Sequence, residues 1–175
     1  MFSDPQKNID QCGIQAGMEI ADLGAGSGFY TIAASKALIS TGTVYAVDAQ
    51  KELLTKLKNN ASKEGLYNVE VVWGDIEKVG GTHLREGSID FALICNVLFQ
   101  AEDKRGVIQE VKRILKPSGR VLVVDWTDSF SGIGPRPEDI VQRNVALEMF
   151  EEGGFHLDRE IRAGAHHYGM ILKKL

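Results

Sequence analysis

The chain has little cysteine, little proline, no basic run and no long apolar stretch, and each shortage excludes something. Its 175 residues hold two cysteines, Cys12 and Cys95. They lie far apart and neither belongs to a Cys-x-x-Cys pair, so neither a metal site nor a disulfide framework is indicated. Cys95 sits in an apolar run and reads as core filling. Lysine and arginine total 20 against 24 acidic residues, a formal net charge of −4. Nucleic-acid binders carry a basic face, which makes DNA or RNA an unfavoured partner. No apolar run is long enough to span a bilayer, and Met1 to Lys7 lacks a signal-peptide pattern. The expected setting is the reducing cytoplasm, with no membrane span. Only four prolines interrupt the chain, so long regular elements are free to form.

What is present reads as alternation. Short apolar runs are expected as strands at Met18–Leu23, Thr43–Asp48, Val69–Trp73, Ser88–Cys95 and Arg120–Trp126. Between them, helical spacing predicts helices over Ile32–Ile39, Lys51–Glu64, Glu102–Leu115 and Glu138–Glu151. The last of these would present Val141, Val145 and Met149 on one stripe. Lys116-Pro117-Ser118-Gly119 reads as a turn, and Asp4-Pro5 as the start of a short first helix. Five alternating strands imply a parallel sheet covered on both faces. Two final runs, Phe155–Ile161 and His167–Leu172, are joined too closely for a parallel crossover and must pair antiparallel. The length suits one domain, 1–175, with 1–17 as a short helix or lid segment.

The most informative stretch is Ala21-Asp22-Leu23-Gly24-Ala25-Gly26-Ser27-Gly28-Phe29-Tyr30-Thr31. It stands between an expected strand and an expected helix. Glycines at alternate positions allow a sharp reversal and a close ligand approach, and the helix start adds a partial positive field. The spacing narrows the ligand. A dinucleotide fingerprint would need its third glycine at position 29, which is Phe29. No Gly-Lys-Ser/Thr follows, so a P-loop is excluded. Asp22 would repel a pyrophosphate and suits a ligand bearing a cationic amino group.

These residues resemble motif I, Asp/Glu-x-Gly-x-Gly-x-Gly, of the class I S-adenosylmethionine-dependent methyltransferases. Within that class they resemble the small-molecule type 11, UbiE-like group. The resemblance runs from about Gly17 to the end. It implies a Rossmann-like, seven-stranded α/β sheet in the order 3-2-1-4-5-7-6, mostly parallel, with helices on both faces and an antiparallel C-terminal hairpin. It also implies S-adenosylmethionine as cofactor and S-adenosylhomocysteine as product. Gly24, Ala25, Gly26 and Gly28 would form the cofactor turn. Asp48 would take both ribose hydroxyls. Asp75, in Gly74-Asp75-Ile76, would take the adenine amine, while the N–H of Ile76 meets a ring nitrogen. Ile76, Ala49 and Gln50 would be the residues that pack the base. Asp22 would meet the methionine amino group indirectly, and Asn96 would offer backbone contact. Relatives often read Asn-Val-Leu-His-His where this chain has Asn96-Val97-Leu98-Phe99-Gln100, so two substrate-facing histidines are absent.

There is no Asn/Asp-Pro-Pro-Tyr/Phe after the fourth strand and no Pro-Cys pair, which argues against the DNA-methylating enzymes. The expected acceptor is a small molecule, ahead of a protein. Candidate general bases are few: Asp125 at the end of the fifth strand, and His166 at the start of the last. Asp128 and His167 adjoin them. Tyr30, Phe99, Trp126 and Phe130 are candidate aromatic walls near a sulfonium. No metal is expected. With so short an N-terminal segment the pocket is expected to be open, or to be closed by a second subunit in a homodimer. The rival reading is a binding module of the same fold without turnover.

Overall fold

Apolar runs bounded by glycine build the sheet. In the computed structural model, residues 3–130 and 132–175 are described. Met1 and Phe2 of the expected lid segment, and Ser131 of the loop after the fifth strand, lie outside the described residues. Strands β1 (Glu19–Leu23), β2 (Thr43–Asp48), β3 (Val69–Trp73), β4 (Ile89–Cys95) and β5 (Leu115–Trp126) alternate with helices α2 (Phe29–Ala37), α3 (Lys51–Lys63) and α4 (Lys104–Ile114). Helix α1 (Pro5–Asp10) precedes them, and α5 (Arg143–Glu152), β6 (Phe155–Ile161) and β7 (His167–Lys174) follow. The order is β3-β2-β1-β4-β5-β7-β6, as the resemblance implied. β1 to β5 pair in parallel, and β7 runs antiparallel to both β5 and β6.

Both faces of the sheet are buried, which explains strands that are apolar without alternation. On one face Leu23, Ala92, Ile94 and Val123 meet Val107, Val111 and Ile114 of α4 and Ala146 and Phe150 of α5. On the other, Ile20, Leu93 and Leu122 meet Ala33 and Ala34 of α2 and Leu38, which caps its end. Leu57 and Ala61 of α3 pack there on Ala46 and Val69. Helix α1 begins as its sequence suggests. Asp4 caps it through the Lys7 N–H, and Pro5 opens its first turn. Its far end is tied to the hairpin, because the Arg159 guanidinium donates to the Gln11 and Cys12 carbonyls.

Three expectations need correction. Helix α2 starts at Phe29, not Ile32, because Gly28 is itself the cap residue, at φ 83°. Helix α5 starts at Arg143, not Glu138. Pro137–Asp139 forms only a single 3-10 turn, and the chain stays extended through Ile140 and Gln142. The register of its apolar face shifts with it. Val145 is exposed, while Ala146 and Phe150 are fully buried. Lys116–Gly119 is not a free turn between elements. It is a bulge inside β5, where Ile89 pairs with Leu115 but Phe91 pairs with Arg120, and Ser118 takes a left-handed φ of 61°.

Gly28 has a packing role that its place in the glycine cluster conceals. A Cβ on it would lie 2.4 Å from Cγ of Leu57, a fully buried residue of α3. Gly28→Ala therefore combines a left-handed backbone with an overlap in the core. It is expected to cost about 2–4 kcal/mol, read as a lower urea midpoint with an unchanged slope.

Candidate functional site

The carboxyl edge of the sheet opens into two joined cavities of about 470 and 370 Å3 that share Gly24, Gly26 and Gln100. Between them runs the turn after β1. Its N–H groups are held by the end of β2: Gly24 and Ala25 both donate to the Val47 carbonyl, at 2.9 and 3.0 Å. The next residue, Asp48, accepts from the Gly26 N–H at 2.9 Å and the Gln50 N–H at 2.8 Å. Gln50, not Asp48, is the cap residue of α3, so the Asp48 carboxylate is not spent as a helix cap. It stays at the edge of the smaller cavity. The turn fits tightly on its inner side. A Cβ on Gly24 would stand 2.7 Å from the Val97 side chain, whereas one on Gly26 would meet nothing nearer than 4.0 Å. Gly26 faces open cavity.

The smaller cavity is lined by Asp48, Ala49, Gln50, Leu53, Asp75, Ile76, Val97 and Ala101. Asp75 forms a turn of its own, accepting from the Glu77 N–H at 3.0 Å and pairing with Lys78 at 3.0 Å. Lys78 and that N–H hold its carboxyl below the usual range. The Asp75 N–H is taken by the Gly81 carbonyl at 3.0 Å.

The larger cavity is lined by Asp22, Ala25, Ser27, Phe29, Tyr30, Cys95 and Asn96, with Ser3 and Pro5 of the N-terminal segment. Asp22 is buried and accepts from the Thr31 hydroxyl at 2.5 Å. Burial pushes its carboxyl up to about 6, against that hydrogen bond. Asn96 sits in left-handed backbone at φ 59°. Its N–H donates to the Val124 carbonyl, and its own carbonyl accepts from the Gln100 amide. Its side-chain oxygen is buried with no partner among the described residues. That acceptor is left for a ligand donor.

The expected bases lie elsewhere. Asp125 is almost fully buried and takes N–H bonds from Leu98, Phe99 and Trp126 at 2.8, 3.4 and 2.8 Å. It braces the turn after β4 and lines neither cavity. His166 pairs with Asp128 at 2.6 Å under the stacked ring of Phe130, and it too lines neither cavity. Of the expected aromatic walls only Tyr30 lines a cavity. Its hydroxyl bonds to Ser3 and to the Asn8 amide, which straps the N-terminal segment over the glycine turn. Trp126 packs instead on His167. Sequence reasoning missed Ser3, Pro5, Leu53, Val97 and Ala101. Val97 and Ala101 carried a usable signal, being small apolar residues four apart directly after Asn96. Ser3 and Pro5 carried none.

The family model described as a methyltransferase domain matches residues 14–154. The chain belongs to this methyltransferase family. The methyltransferase domain is 30% identical over 124 residues to the arsenite methyltransferase of Halobacterium salinarum, covering 71% of this chain and 30% of that one. It is 32% identical over 113 residues to the demethylmenaquinone methyltransferase of Staphylococcus aureus, covering 65% of this chain and 45% of that one. The chain thus spans less than half the length of these two curated relatives. A crystal structure of a SAM-dependent methyltransferase from Aquifex aeolicus superposes with a TM-score of 0.89 at 28% identity, over 99% of this chain and 91% of that one. S-adenosylmethionine is the cofactor of the methyltransferase domain. The residues fit it, with an unpartnered acceptor on Asn96, open space beside Gly26, and no Lys, Arg or His on either cavity wall to repel a sulfonium or an ammonium. No helix among the described residues is long and apolar enough to cross a membrane.

The buried carboxyls give a signature in stability. Asp22 and Asp125 both rise from 3.8 to about 6. The folded state then holds more protons than the unfolded one between those values, so stability falls as pH rises through that window. Glu110, pushed down to about 2, works in the opposite sense but only below its ordinary value of 4.5. These two carboxyls therefore lower the urea midpoint as pH rises from about 4.5 to 7, against the opposite contribution of His167, which burial holds below its ordinary 6.5, and Asp22→Asn should make stability fall less over that window than in the wild type.

Proposed function

We propose that the domain transfers a methyl group from S-adenosylmethionine to a small organic acceptor. The observation that carries this reading is the placement of Asp48 and Asp75 on one cavity and Asp22 and Asn96 on its neighbour, with Gly24 and Gly26 between them. Asp48 takes the two ribose hydroxyls, a carboxylate accepting two donors. Asp75 takes the exocyclic amine of adenine and the Ile76 N–H a ring nitrogen, with Ile76 and Ala49 against the base. The Asn96 side-chain oxygen and, through water, Asp22 hold the methionine ammonium. A cation there draws Asp22 to its ionised form.

When bound, the cofactor supplies a methyl already activated on a sulfonium sulfur, which an acceptor nucleophile displaces in line. The protein's part is alignment and exclusion of water. Asp125 and His166 are not assigned as bases, because neither lines a cavity. Two relatives suggest the class of acceptor by their names, one acting on arsenite and one on demethylmenaquinone. The organic class is favoured. Both thiols are buried, and no three His, Cys, Asp or Glu groups come together among the described residues. A soft metalloid thus finds no ligand set in this domain. A cytoplasmic setting belongs to the same reading, both thiols being unpaired.

Calorimetric titration tests the donor site. S-adenosylmethionine and S-adenosylhomocysteine should bind and NADH should not. Asp48→Ala should weaken both by about 1–3 kcal/mol, the loss of a charge-assisted acceptor. Unchanged affinity would remove Asp48 from the ribose role. Gly26→Val should abolish binding, since its side chain projects into open cavity, and should also lower the melting temperature, because Gly26 stands at φ 52°, where a β-branched residue is strained. Methyl transfer to a panel of phenols, quinols and amines, with none to protein, separates the favoured reading from a protein methyltransferase and from a module without turnover.

A further inference from the structure

The only fully buried carboxylate on α4 is Glu110, and it faces the loop that carries Asp75 and Ile76. Its two oxygens accept from the Gly80 N–H at 2.7 Å, the Thr82 N–H at 3.2 Å, the Thr82 hydroxyl, and the Arg113 guanidinium at 2.8 and 2.7 Å. Arg113 in turn donates to the Leu84 carbonyl at 2.8 Å. Gly80 and Thr82 flank Gly81, whose carbonyl holds the Asp75 N–H. The approach is close: a Cβ on Gly81 would stand 2.1 Å from the Asp75 carbonyl oxygen, and one on Gly74 would stand 2.4 Å from the Gly81 oxygen. A second contact secures the same loop. The Glu77 side chain accepts from the Asp103 N–H at the start of α4. The loop is thereby fixed to α4 rather than to its own strand.

Resting on the donor-site reading above, we propose that Glu110 is a positioning residue that sets the domain's selectivity for adenine by holding Gly81 against the Asp75 N–H. The chain of contacts runs from the Glu110 carboxylate through Gly80 and Thr82 to Gly81, and from Gly81 to Asp75. With the Asp75 N–H occupied, the Ile76 N–H beside it is the donor of this turn left to the cavity, with no partner among the described residues. The Asp75 carboxylate and the Ile76 N–H are then presented at a fixed separation, the pattern that matches an exocyclic amine beside a ring nitrogen. Arg113 and the N–H groups keep Glu110 ionised at every working pH, with its carboxyl pushed down to about 2. Replacing it by glutamine leaves the five donors facing one carbonyl oxygen and an NH2 group that is itself a donor.

Glu110→Gln keeps the shape and removes the charge. The test is calorimetric titration of wild type and variant with S-adenosylhomocysteine and with S-inosylhomocysteine, in which a ring carbonyl replaces the amine. Wild type should favour the adenine compound by at least about tenfold. Glu110→Gln, folded by near-ultraviolet circular dichroism, should lose about tenfold for S-adenosylhomocysteine and little for the inosine analogue, so that the ratio collapses toward one. Thr82→Val removes one donor to Glu110 and should shift the ratio the same way by a smaller factor. It decides the matter if Glu110→Gln does not fold. An equal loss for both compounds would mark Glu110 as merely structural, and no loss would mark it as irrelevant; either result overturns the inference alone. Wild type that binds neither compound overturns the donor-site reading, and this inference with it.

Discussion

The register between β1 and β2 is the constraint on which the cofactor edge depends. Leu23, the last residue of β1, pairs with Val47, and β2 runs one residue further to Asp48. The Val47 carbonyl then has no strand partner ahead of it and takes both N–H groups at the start of the glycine turn. Asp48, one residue on, takes the N–H at the middle of the turn and another at the start of α3. Two adjacent residues thereby end a strand, pin a reversal and start a helix. The reversal is held so near its neighbours that side chains cannot be tolerated at two of its positions. Val97 closes on Gly24 from the β4 side, and Leu57 closes on Gly28 from α3. Gly26 alone is left facing cavity. Three glycines with one spacing thus have three separate reasons, and only one concerns the ligand.

The charge on the cavity walls follows from the same edge. Asp22, Asp48 and Asp75 end or follow the first three strands, and Glu77 adds a fourth carboxylate, with no Lys, Arg or His lining either cavity. Such a wall would repel a phosphate-bearing ligand and attract one that carries positive charge. The field is strongest where water is least. Asp48 and Asp75 are compensated by N–H groups or by Lys78, while buried Asp22 is met by the hydroxyl and the N–H of Thr31 and by no cation that offsets its burial. A carboxyl left that way rises toward neutrality until a cation arrives. The domain accordingly keeps the acid with no cation beside it at the cavity where the sulfonium and ammonium would lie, and its better-compensated acids where the neutral nucleoside would lie.

Much of this was legible in the sequence, for physical reasons. β2, β3 and β6 fall at their expected bounds because short apolar runs between turn residues admit few alternatives. α3 is nearly as close, since Leu54, Leu57 and Ala61 hold one stripe ending at Gly65. The failures are equally specific. The stripe Val141, Val145, Met149 has helical spacing, yet Pro137 starts only a 3-10 turn and the true face is Ala146 and Phe150. Spacing reports a period, not a phase. The cofactor-side carboxylates were legible because a strand end followed by Asp is a local pattern. Glu110 was not, because its partners Gly80 and Thr82 lie 30 and 28 residues away. Ser3 and Pro5 reach the cavity only because Tyr30 and Asn8 tie the N-terminal segment down, a contact that no local pattern announces.

Asp125 shows where the rule about strand ends stops applying. Like Asp22 and Asp48 it closes a parallel strand at the ligand-bearing edge, and by position alone it has an equal claim to chemistry. What separates it is the chain that returns over it. The turn after β4 must bend sharply, since Asn96 is left-handed, and its N–H groups at Leu98 and Phe99 need acceptors. Asp125 on the neighbouring strand supplies them through one oxygen, while its other oxygen accepts from the Trp126 N–H. Beyond it Trp126 is closed in by His167, at 4.2 Å between ring centroids, and by Gly134, where a Cβ would stand 2.9 Å from the indole. That side of the edge is therefore packed shut. Asp22 and Asp48 border open cavity because the loop above them is glycine and cannot fill it. An aspartate at the end of a strand becomes available to a ligand only where the next loop cannot use it fully, and in this domain the glycine turn sets that limit.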